Sequence, residues 1–264
     1  MINKQYTLPP LFKAHYLKPD WPAPDNVKAF CSTRLGGISQ EPFNSFNLAL
    51  SVGDNNDTVM SNRQQLITDL ALPTTPLWLS QVHGIDAVKI DASTKLNHPE
   101  PIKADASITH SVNQVCAIMT ADCLPILITN QQGTEVAAIH AGWRGLLNGV
   151  IDSTINQLNS APETLFAWLG PAIGPDHFEV NNDIRTSYIE RHAEFAEAFQ
   201  LLPQDRWFAN IYDLATINLK HLGVTQVFGG DFCTYCQADY FYSYRRDANI
   251  TGRMVSLIWL DACD

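Results

Sequence analysis

Short apolar runs, cut by Gly, Pro, Asn and Asp, alternate along the chain with longer stretches of helical period, and this alternation predicts most of its elements. Val27 to Thr33, Leu77 to Val82, Ala87 to Asp91, Val115 to Thr120, Leu124 to Thr129 and Val136 to His140 read as strands. Further strands are expected at Leu165 to Leu169, Val224 to Phe228 and Val255 to Leu260. Between them, Val59, Leu66, Ile67 and Leu70 share one face of a helix capped by Asp57. Leu147, Val150, Ile151, Ile155 and Leu158 mark a second helix, and Ile184 to Phe199 and Ile211 to Leu222 two more, the last ended by Gly223. Asn97 to Lys103 (NHPEPIK) reads as a loop. Interleaved strands and helices predict an α/β or α+β fold with mixed sheets, and no linker, repeat or low-complexity tract divides the chain, so residues 1–264 are expected to form a single domain.

Composition narrows the function classes. With 45% hydrophobic and 17% charged residues the chain has an ordinary globular make-up, and 27 acidic against 17 basic side chains give a net charge of −10. That field repels a phosphate backbone, so no nucleic-acid partner is expected, and an anionic substrate would need local arginines or a metal. No run approaches a membrane span, and MINKQYTLPPLFKAH lacks the apolar core of a signal peptide, which points to a soluble cytoplasmic protein with no membrane partner. The six cysteines lie mostly in apolar stretches and do not resemble a disulfide framework. Oligomeric state has no signature in this sequence.

Candidate chemistry centres on His83 in SQVHG, Cys123 in TADCLPI and His140 in AIHAGWRG. Two imidazoles and a thiolate are a ligand set that a catalytic zinc ion accepts while keeping its fourth position open. All three fall at predicted strand ends, where scaffolds present reactive groups to a cleft, and Gly84, Gly142 and Gly145 beside them imply close approach. Their wide separation matches no zinc-finger spacing. The same residues also allow a cysteine nucleophile activated by histidine, with Asp122 orienting the imidazole. Arg144, at the start of the Leu147 to Leu158 helix, is a candidate anion ligand or a partner of Trp143. Arg245 and Arg246 in FYSYRRD, with Arg253 nearby, form a second positive cluster. The CTYC pair Cys233 and Cys236 lacks further ligands and reads as a reduced structural pair; Asp176 with His177 reads as a loop dipeptide. Trp21, Trp78, Trp168 and Trp207 are expected in the core.

The ordered set STRLGGIS, FNLALSVGD, SQVHG, KADASIT, TADCLPILI, AIHAGWRG, LGPAIGP and CTYCQADYFYSYRRDANITGRMVSLIWL resembles the bacterial laccase-domain family, once called multicopper polyphenol oxidases, from about Ala29 to Leu260. The resemblance implies a four-layer α/β/β/α single domain with mixed β-sheets. It also implies purine nucleoside phosphorylase activity on adenosine, inosine and S-methyl-5′-thioadenosine, giving ribose 1-phosphate or its methylthio analogue and free base. Adenosine deaminase activity is implied as well, and one bacterial branch is linked to peptidoglycan editing. Zinc binding carries over onto His83, Cys123 and His140. Family members often have cysteines where this chain has Asp176 and His177, so no thiol role transfers there. In such a reaction Arg144 with Arg245 or Arg246 would hold phosphate, while Asn47, Gln81 and Asp122 are polar candidates for binding the nucleoside. A zinc ion that activates water would account for deamination. Copper is the alternative occupant, because the same ligand set serves trigonal copper sites. Met119 is the one methionine nearby in sequence, and paired histidine motifs for a trinuclear cluster are lacking.

Overall fold

In the computed structural model, residues 6, 8, 11–95 and 100–262 are described. Thirteen strands run along these residues: β1 Tyr16–Leu17, β2 Val27–Ser32, β3 Ala87–Lys89, β4 Ala106–Thr109, β5 Val115–Thr120, β6 Leu124–Asn130, β7 Val136–Ala141, β8 Leu165–Leu169, β9 Glu179–Val180, β10 Phe199–Leu202, β11 Arg206–Ala209, β12 Gln226–Gly229 and β13 Met254–Leu260. The α-helices are α1 Asn56–Leu70, α2 Trp143–Asn148, α3 Val150–Ile155, α4 Asn182–Arg191 and α5 Ile211–His221. One sheet has the order β1-β2-β13-β5 and is antiparallel throughout. A larger mixed sheet has the order β12-β8-β6-β7-β4-β3, with parallel pairs only at its two edges, and a small third sheet runs β10-β11-β9.

The period-2 pattern of β13 explains the layering. Val255, Leu257 and Trp259 join Val115 and Ala117 of β5 on the outer face of the first sheet, against Leu66 and Leu70 of α1. Met254, Ile258 and Leu260, with Cys116 and Ile118, point the other way and meet Leu127, Val136, Ala138 and Trp168 of the mixed sheet. Ile126, Ile128, Ala137, Ile139 and Leu165 then cover the far face of that sheet and pack on Leu146, Val150, Ile151, Leu214 and Leu219 from α2, α3 and α5. Strands buried on both faces need apolar residues at consecutive positions, which is what LPILITN and VAAIHA supply. The result is helix, sheet, sheet, helix. Among the described residues no helix is long and apolar enough to cross a membrane.

Several boundaries differ from the pattern-based expectation. Leu77 and Leu79 are buried, yet Leu77 to Val82 is not a strand: only Ser80 makes a bridge, to Lys103, and the Gln81 side chain takes over the hydrogen bonding to the end of β5. The helix expected from Leu147 to Leu158 is two short ones, because Gly149 at φ 99° caps α2 before α3 begins. Ile184 to Phe199 is likewise divided, with α4 ending at extended His192 and a 3₁₀ segment Ala193–Ala198 following. The cap of α1 is Asn55, whose side chain accepts from the Thr58 N–H, not Asp57. Of the loop expected at Asn97 to Lys103, residues 97–99 lie outside the described residues.

Candidate metal centre

His140 sits in β7 where the alternation along the strand turns it toward the seam between the two sheets, and it is 4% exposed. The antiparallel register pairs Pro125 with His140 and Leu124 with Ala141, which brings Cys123, just before β6, beside the end of β7. Proline lacks a donor, so Pro125 sits at the beginning of β6, where the ladder opens next to His140. His83 arrives from a turn held at φ 59°, and Asp122 at φ 84° bends the chain between β5 and β6. Left-handed backbone at two non-glycine residues costs on the order of 1–3 kcal/mol each and persists where surrounding contacts hold it.

Asp105 provides those contacts for His83. Its wholly buried carboxylate accepts from the backbone N–H groups of Val82 (3.2 Å), His83 (3.0 Å) and Gly84 (2.7 Å). The same carboxylate lies 2.8 Å from His140 Nδ1. One side chain therefore fixes both histidines and leaves Nε2 of His140 for the cluster. His83 Nε2 stands 3.6 Å from Cys123 Sγ, and one ligand atom from each of His83, Cys123 and His140 lies within 4.8 Å of the others. A Cβ on Gly142 would come within 2.6 Å of His83 Cδ2 and 3.2 Å of Cys123 Sγ, so only glycine leaves His83 where it stands.

Electrostatics reinforce the arrangement. Burial pushes the Cys123 thiol up, but His140 and His83 outweigh it and hold the thiol below its ordinary range. Burial pushes His140 down, and the Cys123 sulfur and Asp105 carboxylate more than reverse this. Asp105 also stays below the usual carboxylate range, since its hydrogen bonds overcome burial. A thiolate, two imidazoles and a carboxylate behind one of them suit a borderline cation such as zinc or copper, with the protein supplying three ligands.

The cluster opens into a cavity of about 620 Å³, within the range of small-molecule sites. Leu79, Ile173, Phe178 and Tyr244 give it apolar wall, and Arg144, Arg245 and Arg253 give it positive charge. Of the residues singled out in the sequence, His83, Cys123, His140, Gln81, Met119, Asp122, Arg144, Arg245 and Arg253 line this space. Arg144 is exposed and lies over the Trp143 ring at 4.4 Å. The Gln81 amide is already engaged, donating to the Met119 carbonyl and accepting from its N–H at 2.7 Å each.

Two substrate candidates lie elsewhere, and a third does different work. Asn47 is wholly buried, with its carboxamide spent on Ala49, Asp54 and the backbone of Arg253. Arg246 is outside the cavity lining because its guanidinium is taken up by Asp247 and by the carbonyls of Thr234, Tyr235 and Phe241. Asp122 does not orient an imidazole; its carboxylate accepts from Thr234 Oγ1 (2.6 Å), Ser243 Oγ (3.0 Å) and the Arg245 N–H (2.7 Å), and so ties the Cys123 turn to the FYSYRRD segment. Asp105 was missed as the orienting residue, although it stands in KADASIT. The signal available was an acidic residue flanked by alanines before an apolar strand, a place where a charge needs buried partners. Cys233 is a buried thiol whose sulfur accepts from Gly174 and Cys236 N–H groups, and His177 stacks on Tyr235 at 4.0 Å, both away from the cavity.

Comparison with known proteins places this geometry. A family model described as multi-copper polyphenol oxidoreductase laccase matches residues 28–261. The purine nucleoside phosphorylase YfiH of Escherichia coli K12 is 48% identical over 242 residues, covering 92% of this chain and 97% of that protein. A purine nucleoside phosphorylase of Pseudomonas aeruginosa is 47% identical over 248 residues, covering 93% and 98%. A crystal structure of a Neisseria meningitidis protein superposes with a TM-score of 0.89 at 43% identity, covering 94% of this chain and all of that one.

Proposed function

The chain belongs to the multi-copper polyphenol oxidoreductase laccase family, and from that premise we propose that it is a zinc-dependent purine nucleoside phosphorylase. Its substrates on this reading are adenosine, inosine and S-methyl-5′-thioadenosine with inorganic phosphate, and adenosine deamination is a second activity of the same site. The relatives named purine nucleoside phosphorylase, at 47–48% identity over nearly their whole length, support it. The observation that carries it is the convergence of His83, Cys123 and His140 at a cavity that also bears three arginines in a chain of net charge −10.

His83, Cys123 and His140 would hold the cation, which when bound supplies a Lewis acid for phosphate or substrate oxygens and, for deamination, activates water. Asp105 keeps the His140 ring in the tautomer that presents Nε2. In phosphorolysis a phosphate oxygen bonds to C1′ of the ribose as the bond from C1′ to the purine nitrogen breaks, and the base leaves with a proton. Arginine charge in the cavity draws the anion against the overall field of the protein and balances it beside C1′. Phe178, Ile173 and Tyr244 offer the apolar surface a purine needs. A reducing cytoplasm suits both the thiol ligand and the substrates.

Incubation of metal-analysed protein with inosine should release hypoxanthine only when phosphate is present, and adenosine without phosphate should yield inosine. Failure of both sinks the proposal. The family description and the trigonal ligand set favour copper-dependent polyphenol oxidation as a second reading. It would win if phenol oxidation scaled with bound copper and no base were released. The contact of His140 with Asp105 keeps a Cys123 nucleophile in view. That hydrolase reading requires Cys123→Ala to abolish turnover while zinc stays bound in full.

A further inference from the structure

We propose that Arg253 anchors the phosphate in this site, that Asn47 is its positioning residue, and that Arg144 and Arg245 serve at the rim. The inference rests on the phosphorolysis reading above and assigns the subsite within it.

The arginines near the cavity differ in what else they do. Arg246 is consumed by Asp247 and three carbonyls. Arg245 is exposed, with long contacts of 3.3–3.4 Å to the carbonyls of His177 and Glu179. Arg144 is exposed and lies on Trp143. Arg253 lines the cavity and is partly buried, and among the described residues no carboxylate forms an ion pair with it. Its Nη1 donates to the carbonyls of Thr251 (2.9 Å) and Gly252 (3.0 Å), which orients the guanidinium without neutralising it. A guanidinium partly withdrawn from water, with no carboxylate within ion-pair distance among the described residues, is placed to take an anion. It lines the same cavity as His83, Cys123 and His140, and burial lowers its pKa.

Asn47 explains the placement. Its Oδ1 accepts from the Arg253 N–H at 3.0 Å, and its Nδ2 donates to Asp54 Oδ2 at 3.0 Å and to the Ala49 carbonyl at 3.1 Å. The FNLALSVGD segment, which also contributes Ala49 and Ser51 to the cavity wall, is therefore fastened to the TGRM segment through one carboxamide. This fixes the backbone from which the guanidinium extends.

The experiment uses the full chain with inorganic phosphate as probe. Arg253→Gln should raise KM for phosphate about tenfold or more, the loss of a charge-assisted contact, while KM for inosine changes by less than about threefold. It should also abolish the rise in Tm that phosphate gives the wild-type protein. Arg253→Lys, a point charge in place of the fork, should restore part of both effects. Asn47→Ala should raise KM for phosphate with the metal content unchanged, and Arg144→Gln should have the smaller effect. The proposal is overturned if both Arg253 variants keep wild-type phosphate KM and wild-type phosphate protection, or if Arg144→Gln alone removes them. Phosphate protection that depends on Arg253 in a protein releasing no base would uphold the subsite and overturn the phosphorylase reading instead.

Discussion

Asp105 shows how much one buried carboxylate can organise. It holds three consecutive backbone N–H groups around His83 and the ring of His140, so removing it frees two proposed ligands at once. Asp105→Ala should weaken zinc binding about 10- to 100-fold, measured by competition with a chromogenic chelator; unchanged affinity would mean that the histidines are held by other contacts. Gly142 tests the same site by crowding. Gly142→Ala places a methyl group 2.6 Å from His83 Cδ2, and because His83 is exposed it can swing outward at little cost to the fold. The expected result is protein of near wild-type Tm with substoichiometric metal by elemental analysis.

At the scale of the element, the strands buried on both faces carry the fold. Leu127 of β6 lies wholly buried between the sheets, against the residues of β7 and β8 that it pairs with. Leu127→Ala should cost about 2–5 kcal/mol by urea unfolding; a loss below 1 kcal/mol would show that the seam collapses around the cavity. Such strands were readable from sequence because apolar runs as continuous as LPILI admit few alternatives. Leu77 to Val82 departs from the strand pattern for a physical reason: its leucines alternate inward as in a strand, but it bonds to Met119 of β5 through its own Gln81 side chain and to a loop through Ser80, which no hydrophobic pattern encodes. The α2 and α3 pair was read as one helix because the period continues across Gly149. The His83, Cys123 and His140 set was legible from residue type and turn context. Arg253 was legible only as a member of a positive cluster and Asp105 not at all, since their roles depend on which distant segments are fastened to them.

For the whole molecule, acid should find one weak point far from the cavity. Glu135, 1% exposed at the start of β7, accepts from the Asn159 and Ser160 N–H groups at 2.8 and 2.9 Å and lies 2.8 Å from His110 Nε2. Burial pushes its carboxyl up, but these hydrogen bonds prevail and hold it below its usual value. Its folded-state pKa is depressed, so the stability it contributes is present above the unfolded value of about 4.3 and is lost as pH falls through the folded one. Tm should fall on acidification below about pH 4, and Glu135→Gln should be less stable at neutral pH with a flatter acid limb; parallel curves for the two proteins would assign the acid loss elsewhere.

The proposed centre also occupies a structural crossroads. Cys123 lies in the link where the chain leaves the first sheet at β5 and enters the second at β6, and His140 stands on the neighbouring strand. A cation gripped there would act as a rivet across the handover, so chelation should lower Tm and quicken amide exchange at residues 121–124 before exchange in α1 changes. Unaltered exchange in that link after metal removal would deny it any mechanical part. If the rivet holds, metal scarcity in the cell would shorten the survival of this protein as well as silence its chemistry, and idle copies would be cleared instead of stored.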